Sequence, residues 1–373
     1  MNPDIELGLV AEAERTPFTN ENEDGRPGSR MNSVVNQRPD SKTDRRAQVA
    51  FAGSHGGHLG QAMRLRAQLK SDGAVIATDE GGISYPRAGI ATVPVLHGPV
   101  SWIRNSIESA LLAFRLKPKI VISFGCRDVA FFCLFSKLIG GRLVLVESFA
   151  RVRTPSRFLR TLAPLADRIF VQWPELRAGV PASTLVQPVY SLRRPVAGRV
   201  RKVLVVVGTF RGGMDRLLQL IDGASPLPGS PLVTCQIGHS KYVPHTAQWY
   251  RWKPDQEFQD DISEADLIIT HDGSNTIASA LEAAKPVVVV PRTPFELDYD
   301  SNAELANELS KRAWVKLATN AEGLRAAVAR ITDLAPEWDF QGLPMAACVA
   351  DEIARAKRGH RKRWRVTAPR SES

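Results

Sequence analysis

The sequence predicts an α/β protein built from two doubly wound domains, and three observations lead there. Two stretches each read as a strand, a glycine loop and a helix: Ala47–Ala52 with the loop Gly53 to His58, and Leu267–Thr270 with His271-Asp272-Gly273-Ser274. Short apolar runs recur between helical stretches, the pattern of parallel strands buried on both faces. At 373 residues the chain exceeds one ordinary domain.

Residues 1–46 are rich in Asn, Asp, Glu, Arg, Pro and Ser and read as a disordered leader, with Met31 a second candidate start. The first domain is expected over 47–195. After the strand at Ala47–Ala52 comes a helix from Leu59 to about Lys70, then strands at Val75–Thr78 and Val93–Leu96. Pro99–Leu116 carries Ile103, Ile107, Ala110, Leu111 and Phe114 at helical spacing. That stripe is either core or, with Trp102, Arg104 and Arg115 beside it, a face that lies on a membrane. Ile120–Ser123 is a strand, Asp128 a candidate N-cap for a helix to Ile139, and Leu143–Val146 a strand with Glu147 at its carboxyl end. Arg151, Arg153, Arg157, Arg160 and Arg168 either form a solvated face or hold phosphates.

Pro181–Arg201, proline-rich and aperiodic, reads as an interdomain linker. The second domain, 196–345, repeats the scheme with strands at Val203–Val207, Leu232–Gln236, Leu267–Thr270 and Val287–Val290. In it Thr276–Ala284 is a helix ended by Pro286, and its N-terminus beyond Gly273 suits an anion such as a diphosphate. Residues 346–373 read as a helix that packs back across the linker, then a basic tail, Lys357–Arg365. That tail is either a solvated end or a polybasic segment suited to an anionic membrane.

Lys and Arg number 49 against 39 Asp and Glu, a net charge of +10 that favours anionic partners. A nucleic-acid reading rests only on the basic tail, so nucleic acid is not the expected partner. The four cysteines, Cys126, Cys133, Cys235 and Cys348, form no CxxC pair, which fits a reducing cytoplasm and points to no zinc site. No apolar run reaches the roughly 20 residues of a membrane-spanning helix, so membrane contact is expected to be peripheral.

The segment Ile120–Leu176, above all Val146–Leu176 (VESFARVRTPSRFLRTLAPLADRIFVQWPEL), resembles the acceptor-side subunit of the two-subunit UDP-N-acetylglucosamine transferase that extends dolichol-diphosphate-linked sugars. Gly53–Leu59 resembles that subunit's Ser-Gly-Gly-His opening. The second half, with VVVGTF, QIGHS, ISEADLIITHDGSNTIASALEAAKPVVVVP and NAELANEL, is similar to the donor-binding partner. Bacterial exopolysaccharide glycosyltransferases, and more distantly the lipid II transferase of glycosyltransferase family 28, share these features.

The resemblance implies the GT-B fold, two Rossmann-like domains facing across a cleft, with no essential metal and no cofactor beyond the UDP-sugar. It places Gly208, Thr209, His271, Gly273, Ser274, Asn275, Thr276, Glu282 and Asn302 on the donor, with Glu282 on the ribose hydroxyls. Asn275 stands where glycine is frequent, and Asp300-Ser301-Asn302 where Asp-His-Gln is usual. Gly56, Gly57 and His58 match the loop that approaches the lipid diphosphate, with Arg151 and Arg153 as its candidate counter-charges. Arg292 is a candidate partner for a glucuronate carboxylate.

The expected reaction is inverting transfer of glucuronic acid, glucose or N-acetylglucosamine from a UDP-sugar to an undecaprenyl-diphosphate-linked sugar, in exopolysaccharide or glycolipid assembly at the inner face of the plasma membrane. His58 or Glu147 is the candidate base. The alternative roles of these two residues are phosphate binding for His58 and loop capping for Glu147. The alternative functions are a non-catalytic presenting subunit and an enzyme like UDP-N-acetylglucosamine 2-epimerase.

Overall fold

In the computed structural model the described residues are 48–54, 56–79, 90–94, 96, 98–196, 198–209, 212–293, 296, 304–335 and 340–366. The expected leader, Met31, and Asp300 to Asn302 lie outside them.

The first half runs β1 (Val49–Ala52), α1 (Gly57–Gln68), β2 (Ala74–Asp79), β3 (Ile90–Pro94), α2 (Pro99–Leu116), β4 (Ile120–Ser123), α3 (Ala130–Leu138), β5 (Arg142–Val146), α4 (Arg157–Leu162), β6 (Arg168–Val171) and β7 (Thr184–Leu185). Its strands form one parallel sheet in the order β3-β2-β1-β4-β5-β6-β7. The second half runs β8 (Lys202–Val206), α5 (Asp215–Ala224), β9 (Leu232–Gln236), β10 (Gln248–Tyr250), α6 (Asp255–Glu264), β11 (Leu267–His271), α7 (Ser274–Glu282), β12 (Val287–Val290), α8 (Glu304–Lys311), β13 (Lys316–Leu317), α9 (Ala321–Ala329) and α10 (Met345–Val366). Its parallel sheet has the order β10-β9-β8-β11-β12-β13.

Both sheets therefore reverse strand order beside their first strand, between β1 and β4 and between β8 and β11. A crevice opens at the carboxyl ends of the strands at such a switch point, where doubly wound folds bind ligands. The central strands are short and apolar because helices cover both faces: IVIS in β4 and VVVV in β12 are buried throughout. Registers run Val49↔Ile120 to Ala52↔Ser123 in the first sheet and Leu267↔Val203 to Thr270↔Val206 in the second.

Three expectations change. Pro181–Arg201 is not a free linker: Thr184–Leu185 is the seventh strand of the first sheet, and Val186, Val189 and Tyr190 are buried. The chain then runs along the end of α7, where Arg193 N donates to Leu281 O and Val196 N to Ala284 O. Asp128 does not cap α3 but lies in a short 3₁₀ turn, its buried carboxylate accepting Leu96 N–H at 3.2 Å.

The third change concerns α2, which is turned inside out relative to an ordinary amphipathic helix. Its buried residues are Asn105, Ser109 and Ala113, while Val100, Trp102, Ile103, Ile107, Leu111 and Phe114 are exposed, Ile103 at 64%. The polar groups are satisfied inside: Asn105 Nδ2 donates to the carbonyls of Pro94 and Asp128, and the Ser109 hydroxyl to Asn105 Oδ1. Of the two readings of the apolar stripe, core packing is the one that fails.

The halves share an apolar core in which Phe149, Trp173, Tyr190, Trp314 and Phe340 pack as one aromatic group. α10 reaches back to the first half, where Glu352 meets Arg142 at 2.8 Å and Arg168 at 3.3 Å.

Candidate functional site

α1 and α7 each begin at the carboxyl edge of their sheet and meet at their first turns. A β-carbon on Gly57 would lie 2.9 Å from Ser274 Oγ, and one on Gly60 2.6 Å from Asn275 Oδ1. A β-carbon at either position would have to push the Ser274 or Asn275 side chain aside, so the glycines let the two helices approach closely. The loop expected to face the acceptor and the loop expected to face the donor are thus adjacent, with two positive helix ends converging on one region.

On the first-half side, His58 is half-buried beside the β1–β4 switch point. Its Nδ1 lies 2.8 Å from Ser54 Oγ, and its Nε2 faces the Gly125 loop that follows β4. Desolvation by burial, with the positive charge of Arg151 second, lowers its pKa from 6.5 to about 4, so the ring is neutral near pH 7.

Glu147 is buried, and each carboxylate oxygen takes a backbone N–H: Oε1 from Ser148 at 2.9 Å and Oε2 from Ser156 at 2.8 Å. Burial raises its pKa, against those hydrogen bonds and Arg151. These contacts make Glu147 a clamp on the 148–156 loop, as its capping alternative expects. Gln61, which the sequence reading missed, completes the support. Its Oε1 accepts from Phe149 N and Gln172 Nε2, and its Nε2 reaches Ser148 Oγ at 3.3 Å.

Arg153, a candidate counter-charge for the lipid diphosphate, has a partner within the protein. It pairs with Glu308 of α8 at 3.0 Å, while Glu304 Oε2 accepts the backbone N–H groups of Val152, Arg153 and Thr154. Arg151 remains the cation whose field reaches both His58 and Glu147.

On the second-half side, His271 is buried in the floor of the loop rather than lining its surface. A β-carbon on Gly208, whose φ is +83°, would lie 2.9 Å from His271 Nε2, and one on Gly273 2.2 Å from Cε1. The ring fills the space both glycines leave. Desolvation lowers its pKa, opposed by the neighbouring Asp272 carboxylate, whose Oδ1 lies 3.6 Å from Nδ1. Gln236 fixes the Gly208 turn, its Oε1 accepting Gly208 N–H at 2.8 Å. Thr209 is exposed, and Ser274, Asn275 and Thr276 are half-buried at the start of α7. Arg292, a candidate for a sugar carboxylate, instead donates to Asp272 Oδ1 at 2.7 Å and is buried there. Asn302 lies outside the described residues.

Glu282 has partners the sequence did not suggest. Arg64 of α1 donates through Nε to Glu282 Oε2 at 3.0 Å, through one terminal nitrogen to Asn275 Oδ1 at 3.1 Å and through the other to Ser279 Oγ at 2.9 Å. Glu282 Oε1 accepts Ser191 N–H at 3.0 Å. No sequence signal marks Arg64, because its partners lie 211 to 218 positions away. Among the described residues, no group of three or more His, Cys, Asp or Glu could hold a metal ion.

Comparison with known proteins agrees with this architecture. Residues 83–188 match the family described as "Oligosaccharide biosynthesis protein Alg14 like", and residues 202–338 the "Glycosyltransferase family 28 C-terminal domain". The UDP-N-acetylglucosamine–N-acetylmuramyl-(pentapeptide) pyrophosphoryl-undecaprenol N-acetylglucosamine transferase of Pseudomonas putida (strain W619) is 26% identical over 286 residues, 67% of this chain and 78% of that protein. The UDP-N-acetylglucosamine transferase subunit ALG14 of Candida albicans is 25% identical over 178 residues, 40% of this chain and 80% of that one. Among solved structures, Acinetobacter baumannii MurG superposes with a TM-score of 0.55 at 18% identity, covering 82% of this chain and 99% of that one. The chain thus joins a stretch similar to Alg14 to a domain similar to the C-terminal domain of family 28 glycosyltransferases, in a two-domain fold of the kind seen in MurG.

Proposed function

We propose that this protein transfers a sugar from a UDP-sugar to a polyprenyl-diphosphate-linked sugar, with inversion at the anomeric carbon, at the cytoplasmic face of a membrane. The observation that carries the reading is the meeting of α1 and α7: the loop with a neutral histidine abuts the glycine loop that opens a helix. Such a helix end suits the diphosphate of the donor. The relatives' printed names, a pyrophosphoryl-undecaprenol transferase and a transferase subunit, favour transfer over epimerisation and UDP-N-acetylglucosamine as the first donor to try. Glucose and glucuronic acid remain donors to compare, although Arg292 now has its own carboxylate partner. An exopolysaccharide pathway is part of the proposal, and undecaprenyl diphosphate its carrier.

In this reading His58 is the base. With Nδ1–H donating to the Ser54 hydroxyl, Nε2 is left to accept the proton from the acceptor hydroxyl as that oxygen attacks. A diphosphate on the acceptor, brought next to His58, raises the basicity that burial and Arg151 depress. Gly208, Thr209, Gly273, Ser274, Asn275 and Thr276 surround the UDP, and Glu282 takes the ribose diol. The leaving diphosphate is stabilised by backbone N–H groups and the α7 dipole, with no essential metal proposed. The exposed apolar face of α2, flanked by Arg104, Arg115 and Lys117, supplies the membrane contact. No helix among the described residues is long and apolar enough to cross a membrane.

The test is transfer of radiolabelled sugar from a panel of UDP donors to glucosyl-diphosphate-undecaprenol and N-acetylglucosaminyl-diphosphate-undecaprenol in detergent. A β-linked lipid disaccharide from one donor supports the proposal. UDP binding without transfer to either acceptor would point instead to a presenting subunit.

A further inference from the structure

Arg64 of α1 stands outside the machinery proposed above, yet its side chain lies against the donor helix α7. Its guanidinium bonds Asn275, Ser279 and Glu282, positions i, i+4 and i+7 of α7, which share one face of that helix. The ring of Tyr190, buried below, holds the guanidinium at 5.0 Å. Glu282 is consequently engaged at both oxygens, by Arg64 and by Ser191 N–H.

We infer that Arg64 is a positioning residue of the donor site, supplied by the opposite half of the chain, which competes with the donor's ribose for Glu282. The inference rests on the proposal that Glu282 takes the ribose diol. A carboxylate aims its lone pairs in few directions, and a guanidinium fork fills the same ones a vicinal diol would use. Donor binding therefore displaces Arg64 from Glu282, and the free protein sets its own donor affinity by the strength of that pair. The consequence reaches the acceptor side, because Arg64 lies six residues after His58 on the same helix. A donor that takes Glu282 removes one tie on the helix that carries the base, so the two sites are coupled through α1.

The experiment is calorimetric titration of the full-length protein with UDP and with uridine, comparing wild type with Arg64→Gln, Arg64→Lys and Glu282→Gln, each first checked for a cooperative thermal transition. Removing a competitor tightens binding, which a merely structural contact would not do. Arg64→Gln should bind both ligands about tenfold more tightly, since a hydrogen bond to a charged group has that order of strength. Arg64→Lys, which keeps the charge without the fork, should fall between the two and shows the effect in a protein that retains the ion pair. Equal or weaker binding of uridine in Arg64→Gln overturns the inference. Weaker binding of UDP alone overturns it too, and would make Arg64 a ligand of the diphosphate. If Glu282→Gln binds uridine as wild type does, the ribose role of Glu282 fails and the inference with it. If Glu282→Gln loses uridine while Arg64→Gln gains nothing, the inference alone fails.

Discussion

Trp173 and Trp314, contributed by opposite halves of the chain, flank a single guanidinium: Arg312 lies 5.4 Å from the first ring and 5.5 Å from the second. Arg312 also bonds Glu175 of the first half at 2.8 Å and Glu308 of α8, the helix it follows, at 2.9 Å. Glu308 in turn holds Arg153. One side of the interface is therefore closed by aromatic packing and charge together, while the α1–α7 side is tied by Arg64.

That arrangement sets the first prediction. Arg312→Ala removes two cation–π contacts and two ion pairs, at a cost on the order of 2 kcal/mol, and should lower the melting temperature by about 5 °C. Arg312→Lys should recover less than half of that, because a point charge neither stacks on both rings nor forks between two carboxylates. Differential scanning calorimetry measures both, and full rescue by lysine would mean that only net charge matters there.

His58 and Glu147 separate cleanly by what each variant loses. His58→Gln keeps a hydrogen-bonding side chain but removes the proposed proton acceptor, so kcat should fall by about 10²- to 10⁴-fold with little change in melting temperature. Glu147→Gln turns an –NH₂ toward one of two backbone N–H groups and should cost about 1–3 kcal/mol of stability, with kcat of the folded enzyme nearly kept. The opposite pattern would return the basic role to Glu147.

The half-buried imidazole of His58 also predicts a pH dependence. In the unfolded chain His58 takes up a proton near 6.5, whereas in the folded protein it does so only near pH 4. Between those values the unfolded state binds more protons, so stability is present above about pH 6.5 and lost as pH falls toward 4. The loss amounts to at most about 3.5 kcal/mol, because a protonation midpoint displaced by one pH unit is equivalent to about 1.4 kcal/mol. Glu147, raised by burial, acts in the opposite sense, and lowered His271 in the same sense. The difference between wild type and His58→Gln in urea titrations at pH 5 and pH 7.5 isolates the ring. Equal pH slopes in the two proteins would show that His58 titrates normally.

The doubly wound architecture was legible because short apolar strands and glycine loops are local signals, and β4, β5, β11 and β12 lie within a residue of where the pattern put them. What escaped was long-range. β7 is two residues in a proline-rich stretch, and only pairing with Phe170 and Val171 makes it a strand. Glycines at 57, 60, 208 and 273 advertise close approach without saying to what, and the structure answers with Ser274, Asn275 and His271. The charged candidates were legible in the sequence, but their partners within the protein were not. Arg153, Glu282 and Arg292, each assigned to a ligand, are paired with Glu308, Arg64 and Asp272. Composition cannot distinguish a cation held for a substrate from one spent on the fold.

α2 supplies the last prediction, because its periodicity is that of a core helix while its orientation is reversed. Ile103, Ile107 and Leu111 lie outward, and the polar Asn105 and Ser109 face the protein with their hydrogen bonds satisfied. Stability therefore does not depend on the apolar face, but membrane contact should. Burying one such side chain in the acyl boundary is worth about 1.5 kcal/mol or more. Ile107→Glu with Leu111→Glu should thus lower the partition coefficient onto vesicles by about a hundredfold and leave the melting temperature within about 1 °C. Vesicles of zwitterionic lipid should bind wild type more weakly than those with anionic lipid, because Arg104, Arg115 and Lys117 flank the face. Transfer to a short-chain, water-soluble acceptor should survive in the double variant while transfer to acceptor held in vesicles falls with binding. Loss of both would place the α2 face in catalysis itself, and loss of neither would leave it without a role at the membrane.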